Sequence, residues 1–184
     1  MRGPGWRPGD MHPDEIEDLL FEAARRYHHL VGGAHPEGVP TSLRLDVEEI
    51  AYFDGHVDVA RYDYLELGER ITAGLLGAPN AVRFLRGEVE PSWRPQGLRR
   101  VVLTDQRLLV LDHGRWVSYR HPSVAEFLPE PVDFVVTLVL HDLQPLRLSG
   151  PELASLAVVY ASLLYQAEEL PRLPGFARFD PDTT

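Results

Sequence analysis

The chain contains no cysteine and no lysine. The absence of cysteine excludes disulfides, thiolate metal sites and cysteine nucleophiles, and it is typical of a protein from a reducing compartment. All 18 basic residues are arginine, whose planar guanidinium binds carboxylates and phosphates through paired donors. Arginine-rich codon usage explains this bias more simply than a selected role.

Long hydrophobic runs are also missing. The longest nearly apolar segments, residues 134–140 and 153–165, are shorter than the roughly 18–20 residues that a membrane span needs. The first ten residues contain no apolar core of signal-peptide length. With 184 residues and 44% hydrophobic content, we expect one soluble, cytoplasmic domain with a small appendage.

No catalytic pattern is present in the sequence. We find no glycine-rich phosphate loop, no His-Glu-x-x-His and no Gly-x-Ser-x-Gly. His28 and His29 are adjacent on a predicted helix, so they point about 100° apart and do not chelate one ion. We therefore predict no enzyme activity, no catalytic residues, no metal site and no cofactor.

Charge is distributed unevenly along the chain, whose formal net charge is −10. Residues 1–68 hold 14 acidic residues and six arginines, whereas residues 83–120 hold eight arginines and four acidic residues. The overall negative field repels nucleic acids, which we exclude as partners, and anionic membranes. Only the region 83–120 offers a local positive surface.

The middle of the chain predicts a three-stranded antiparallel meander. Apolar runs at residues 101–103 and 108–111 flank the polar break Thr104–Gln106, and a second turn at residues 112–114 leads into residues 116–119. Further strands are predicted at residues 69–76, 81–85, 123–128, 134–140 and 145–148, with a loop at residues 88–97. A C-terminal helix begins near Pro151 and ends before Pro171, with apolar residues on two sides.

The first third of the chain predicts helices. One runs from Pro13 to Gly32, with acidic residues at its start and apolar residues at helical spacing. Short helices are predicted at residues 46–53 and 58–67, although alternation at residues 56–64 leaves a strand open there. The resulting division is a disordered tail at 1–11, an acidic helical segment at 12–67, a β-domain with its C-terminal helix at 68–170, and a loose tail at 171–184.

Two motifs resemble those of bacterial pleckstrin-homology-like (PH-like) domains. In that group a Gly-Glu pair precedes the first strand, as Gly68-Glu69 does here, and a signature Val-Leu-Thr-x-x-Arg-Leu marks a central hairpin. Residues 102–109 match this signature, with Thr104 at the turn and Arg107 as the signature arginine. The resemblance covers about residues 60–170. It implies a bent antiparallel sheet, or partly open barrel, of about seven strands capped by a C-terminal helix, hence an α+β fold.

The resemblance also implies a binding platform for lipid headgroups, peptides or proteins, and bacterial members often self-associate. Residues 78–80 stand where lipid-binding members carry basic residues, so phosphoinositide binding is not expected. We predict a non-catalytic adaptor that binds a protein partner, with self-association left open. The alternatives are an acidic chaperone or immunity-type inhibitor of a basic partner, and peripheral membrane or anionic-ligand binding, which is not favoured. The candidate binding residues are Arg83, Arg86, Trp93, Arg99, Arg100, Arg107 and Arg115.

Overall fold

The computed structural model describes residues 6, 9, 11–63 and 92–180. Within them the chain is α+β, with an N-terminal helix, a curled seven-stranded antiparallel sheet and a helix after the sheet, which confirms the predicted fold class. The two helices are α1 (Pro13–Val31) and α2 (Leu153–Leu164). The strands are β1 (Ala51–Asp63), β2 (Ser92–Thr104), β3 (Arg107–Asp112), β4 (Arg115–Arg120), β5 (Val124–Glu130), β6 (Val135–Leu140) and β7 (Leu146–Ser149).

The strands lie in the order β4-β3-β2-β1-β7-β6-β5. β1 pairs with both β2 and β7, so it joins a four-stranded half to a three-stranded half. The two end strands, β4 and β5, are consecutive in the chain and are linked by one 3₁₀ turn at His121–Ser123. The right-handed twist of the strands, with a register shift after Val59, curls the sheet into a half-barrel.

Strand alternation gives the sheet an inner and an outer face. The inner face carries Val101, Leu103, Leu108 and Val110, which share the main core with α2. Eight of the twelve α2 residues are buried, because the sheet covers one side of this helix and α1 covers another. α2 is apolar on two sides because one side packs against the sheet and another packs against α1.

α1 begins and ends as the sequence predicts. Pro13 occupies its first turn, where the missing N–H costs no hydrogen bond, and Gly32 follows its last residue. The buried face of α1 contacts α2, and the Tyr27 ring lies 5.6 Å from the ring of Phe176. The apolar face of α1 is thus buried against other parts of this chain.

Two predictions for the first third of the chain are wrong. Residues 51–63 form β1 and not parts of two short helices, so the strand that alternation left open is the correct one. β1 is a central strand of the sheet, which places the end of the predicted 12–67 segment inside the β-domain.

The predicted loop at 88–97 is also wrong from Ser92 onwards, because Pro95 is accommodated in β2 beside the register shift. The predicted strands at 69–76 and 81–85 lie outside the described residues.

Both predicted tails contain packed residues. The backbone N–H of Trp6 donates to the Asp58 carboxylate at 3.1 Å, and its ring lies 5.6 Å from the ring of Phe134. At the other end, Phe176 and Phe179 are buried. The 3₁₀ segment Pro174–Phe179 lies against β5 so closely that any Cβ on Gly175 would collide with the Pro129 carbonyl oxygen. The loose-tail prediction is therefore wrong for residues 171–180.

Candidate functional site

The candidate arginines of the sheet are divided between its two faces. Arg99 shares the inner face with Val101, whereas Arg100 shares the outer face with Val102, because neighbouring side chains point to opposite sides of a strand. By the same alternation Arg107 lies on the outer face, directly opposite Arg120 in register. The structure therefore does not bring the predicted arginines together as one surface.

Arg107 forms the most buried ion pair in the described part of the chain. Its Nε and a terminal nitrogen donate to the two carboxylate oxygens of Glu49, at 2.8 and 2.7 Å. The Glu49 side chain is fully buried, and its carboxylate also accepts hydrogen bonds from the Thr104 hydroxyl and the Asp46 backbone N–H. The hydrogen bond from Arg107 is the main reason why the pKa of Glu49 falls from 4.5 to about 2. Arg107, the signature arginine, is therefore neutralised by a carboxylate of its own chain.

The side chain of Thr104, the signature threonine, stabilises the turn between β2 and β3. Its hydroxyl oxygen accepts hydrogen bonds from the backbone N–H groups of Gln106 and Arg107 and closes the turn between β2 and β3. The Thr104 carbonyl accepts from Nε2 of His121, whose buried Nδ1 has no hydrogen-bond partner among the residues that the structure describes. Burial lowers the pKa of His121, so the ring is neutral at neutral pH and holds the β4–β5 link against this turn.

Residues 34–50, here called the cover segment, lie over the outer face of the four-stranded half. Leu43 and Leu45 pack against a small second core that includes Val102 and Leu109. Asp46 adds a second carboxylate to Arg107, at 3.0 Å. The acidic end of the cover segment thus neutralises the outer-face arginine nearest to it.

Arg100 is also neutralised from within the chain. It donates to both carboxylate oxygens of Asp54, at 2.8 and 2.6 Å, and this hydrogen bonding lowers the pKa of Asp54. The Arg100 guanidinium lies 5.8 Å from the ring centroid of Trp116, within cation–π distance. Trp116 is half-buried on the outer face, where it also packs against Val102 and Leu109.

A second cluster surrounds Asp112 on the inner face, at the end of β3 beside the β3–β4 turn. Asp112 accepts a hydrogen bond from Arg61 at 3.2 Å and lies 3.6 Å from Nε of Arg99. Arg61 also donates to the Tyr119 hydroxyl. Arg115 faces Asp112 across the hairpin but is exposed, and it forms no ion pair with any residue that the structure describes. Two inner-face arginines therefore share one carboxylate.

Trp93 lies apart from both arginine groups. Its ring contacts the ring of Tyr62 at 5.2 Å, and the guanidinium of Arg147 from β7 lies 4.8 Å from its centroid. The remaining candidates, Arg83 and Arg86, lie outside the described residues. The predicted set is thus distributed over at least three places.

From the sequence we expected the arginines of the meander to pair with neighbouring acidic residues, Asp112 among them, and Asp112 does pair with Arg61 and Arg99. Sequence reasoning missed the carboxylates that pair with Arg107 and Arg100, which are Glu49 and Asp54. The only available signal was the excess of acidic residues before residue 68, which indicates a counter-charge but not a pairing. Within the residues described here, no three His, Asp or Glu side chains come close enough to hold a metal ion. In the same part of the chain, neither helix has the length and apolarity needed to cross a bilayer.

Comparison with known proteins assigns no family to this chain. A scan against protein-family models finds no family that matches, and a search of curated proteins finds no match.

Proposed function

We propose that this chain is a non-catalytic, PH-like adaptor that acts in the cytoplasm by binding another protein. The observation that carries the proposal is the internal neutralisation of the sheet arginines. Arg100 and Arg107 pair with carboxylates of the chain itself, and Arg61 and Arg99 share Asp112. Binding a membrane or a free anion through these side chains would require breaking pairs that are already half-buried.

What is left on the surface favours protein recognition. Arg115 and Arg120 remain exposed at the two ends of one strand, without ion pairs among the described residues. Large apolar side chains are exposed at separate places, including Val47 at the tip of the cover segment, which is 91% exposed. Apolar side chains exposed singly are ordinary for a folded surface, so the part of the surface that favours a protein partner is the pair of exposed arginines on β4.

The test separates a protein partner from a membrane. The tagged chain is used to isolate partners from a native lysate at low and moderate salt, and it is also sedimented with vesicles containing phosphatidylglycerol. We expect one near-stoichiometric protein that survives moderate salt and re-forms the complex from purified components, with no sedimentation on vesicles. Retention of the chain by the vesicles, together with no protein partner, would overturn the proposal.

A second candidate rests on the outer side of α1. Phe21 is 71% exposed there, on a helix whose first turns present the exposed carboxylates of Asp14, Glu17 and Asp18. This arrangement favours a basic partner that packs an apolar surface against Phe21, as the partner of an acidic chaperone or immunity-type inhibitor would do. We expect such a complex to weaken at least about tenfold between low and high salt, because surface ion pairs are screened.

Substitutions in α1 distinguish the acidic-inhibitor candidate from the adaptor candidate. Phe21→Ala combined with Asp18→Asn should abolish binding of a basic partner, whereas Leu143→Ala, at a side chain 55% exposed elsewhere, should not. A partner that is insensitive to salt and to the α1 changes would exclude the acidic-inhibitor candidate.

A further inference from the structure

The end strand β4 has an open edge. It pairs with β3 on one side, and no other strand in the described part of the chain pairs with its second side. Unpaired strand edges are templates for the addition of another strand. The edge is six residues long, Arg115–Arg120, which is a usual length for a paired strand.

The β3–β4 turn determines which backbone groups point outwards. His113 and Gly114 form a two-residue loop with φ values of 47° and 80°, as in a type I′ turn, so Asp112 and Arg115 form the hydrogen-bonded pair that closes it. Hydrogen-bonded and non-hydrogen-bonded pairs then alternate along the hairpin without a register shift. The N–H and C=O groups of Trp116, Ser118 and Arg120 therefore point away from β3.

The opposite edge of the sheet is not open in the same way. Pro174–Phe179 lies against β5, where the backbone of Gly175 approaches the Pro129 carbonyl oxygen. β5 also contains a proline, which donates no hydrogen bond. The C-terminal segment thus contacts the end strand β5, whereas β4 contains no proline and its Arg115, Ser118 and Arg120 are exposed.

Charge at the β4 edge selects the kind of strand that fits. An antiparallel second copy of β4, paired through its outward backbone groups, would place Trp116 opposite Arg120 and Ser118 opposite Ser118, so neither arginine would meet an opposite charge. An acidic strand meets the two exposed arginines with opposite charge. Between them, Val117 and Tyr119 point to the inner face, so valine or a similar side chain fits opposite each.

We propose that the β4 edge binds an extended acidic segment of a protein partner, which adds an eighth strand to the sheet. The segment carries two carboxylates five residues apart, one opposite Arg120 and one opposite Arg115, with β-branched residues between them. This inference rests on the proposed adaptor function and names the surface and the partner class for it.

The probe is a fluorescein-labelled peptide, Thr-Glu-Val-Thr-Val-Thr-Glu-Thr-amide, titrated with the full chain and followed by fluorescence anisotropy. We expect saturable binding, at least about tenfold tighter than for Thr-Thr-Val-Glu-Glu-Val-Thr-Thr-amide, which has the same composition with adjacent carboxylates. Equal binding of the two peptides, or no saturation up to about millimolar chain, would overturn the proposal.

Ser118→Pro tests the backbone contact. Proline removes an outward N–H and places its ring in the path of the added strand, so we expect binding to weaken at least about tenfold. Ser118→Thr keeps the N–H and should bind as the parent chain does. We expect this chain to stay folded, since proline is tolerated on an edge whose N–H faces solvent, and circular dichroism with thermal unfolding checks the fold against the parent chain. A folded Ser118→Pro chain with unchanged peptide affinity would contradict the proposal.

A second pair of variants tests the charge and does not depend on proline being tolerated. Arg115→Glu with Arg120→Glu should weaken the peptide at least about tenfold, whereas Arg172→Glu with Arg178→Glu, two exposed arginines of the C-terminal segment, should not. A natural partner that still binds the Ser118→Pro chain would leave the adaptor function standing and would place its site elsewhere. Peptide binding in the absence of any natural partner would instead overturn the adaptor function.

Discussion

Replacing Arg107 by methionine is expected to lower the free energy of unfolding by about 3–5 kcal/mol. Methionine keeps most of the packing of the side-chain stem but removes the guanidinium, which leaves the buried Glu49 carboxylate without its cation. Removing one partner of a buried pair is costly because the other charge remains desolvated. Chemical denaturation at neutral pH measures this change.

The same substitution has a defined pH dependence. The folded-state pKa of Glu49 is about 2 and its ordinary value is 4.5, so the ionised carboxylate stabilises the native state above pH 4.5. This stabilisation, about 3 kcal/mol at 1.36 kcal/mol per pH unit, is lost as the pH falls from about 4.5 to about 2. We therefore expect the difference in stability between the parent chain and Arg107→Met to shrink over that range.

Arg120→Met is the matched control for Arg107→Met. Arg120 lies opposite Arg107 on the same face but is exposed, and it has no ion pair among the described residues, so its loss should change stability by less than about 0.5 kcal/mol. Adding Glu49→Gln to Arg107→Met should recover part of the lost stability, since the buried charge is then gone. A loss of under about 1 kcal/mol for Arg107→Met would show that the Glu49 carboxylate reaches water.

The second large effect is expected from Leu156→Ala in α2. Leu156 is 3% exposed and belongs to the main core between the sheet and the two helices. Deleting its branched side chain removes apolar burial and leaves a cavity, so the free energy of unfolding should fall by about 2–5 kcal/mol. Thermal or urea unfolding measures the change.

Leu98→Ala provides the comparison for Leu156→Ala with the same chemical change. Leu98 lies in β2 and is 61% exposed, so we expect an effect within about 0.5 kcal/mol. Similar effects at the two leucines would contradict the docking of α2 in the core.

The sequence alone determined the elements whose signals are local. The meander is predictable because Val101–Leu103 and residues 108–111 are apolar runs separated by a turn that Thr104 closes with its own hydroxyl. α1 is predictable because Pro13 and Gly32 mark its ends and apolar residues recur at helical spacing between them. Both depend on residues close together in the chain.

Only the tertiary structure decided β1 and the arginine pairs. Residues 51–63 satisfy helical and strand patterns alike, and pairing with β2 and β7 selects the strand. The arginines of the predicted binding surface meet carboxylates that are distant in sequence, 46 residues away for Arg100 and Asp54 and 58 for Arg107 and Glu49. Composition shows that opposite charges are present, but sheet register and the path of the cover segment determine which charges meet. The same geometry leaves Arg115 and Arg120 exposed at the two ends of β4.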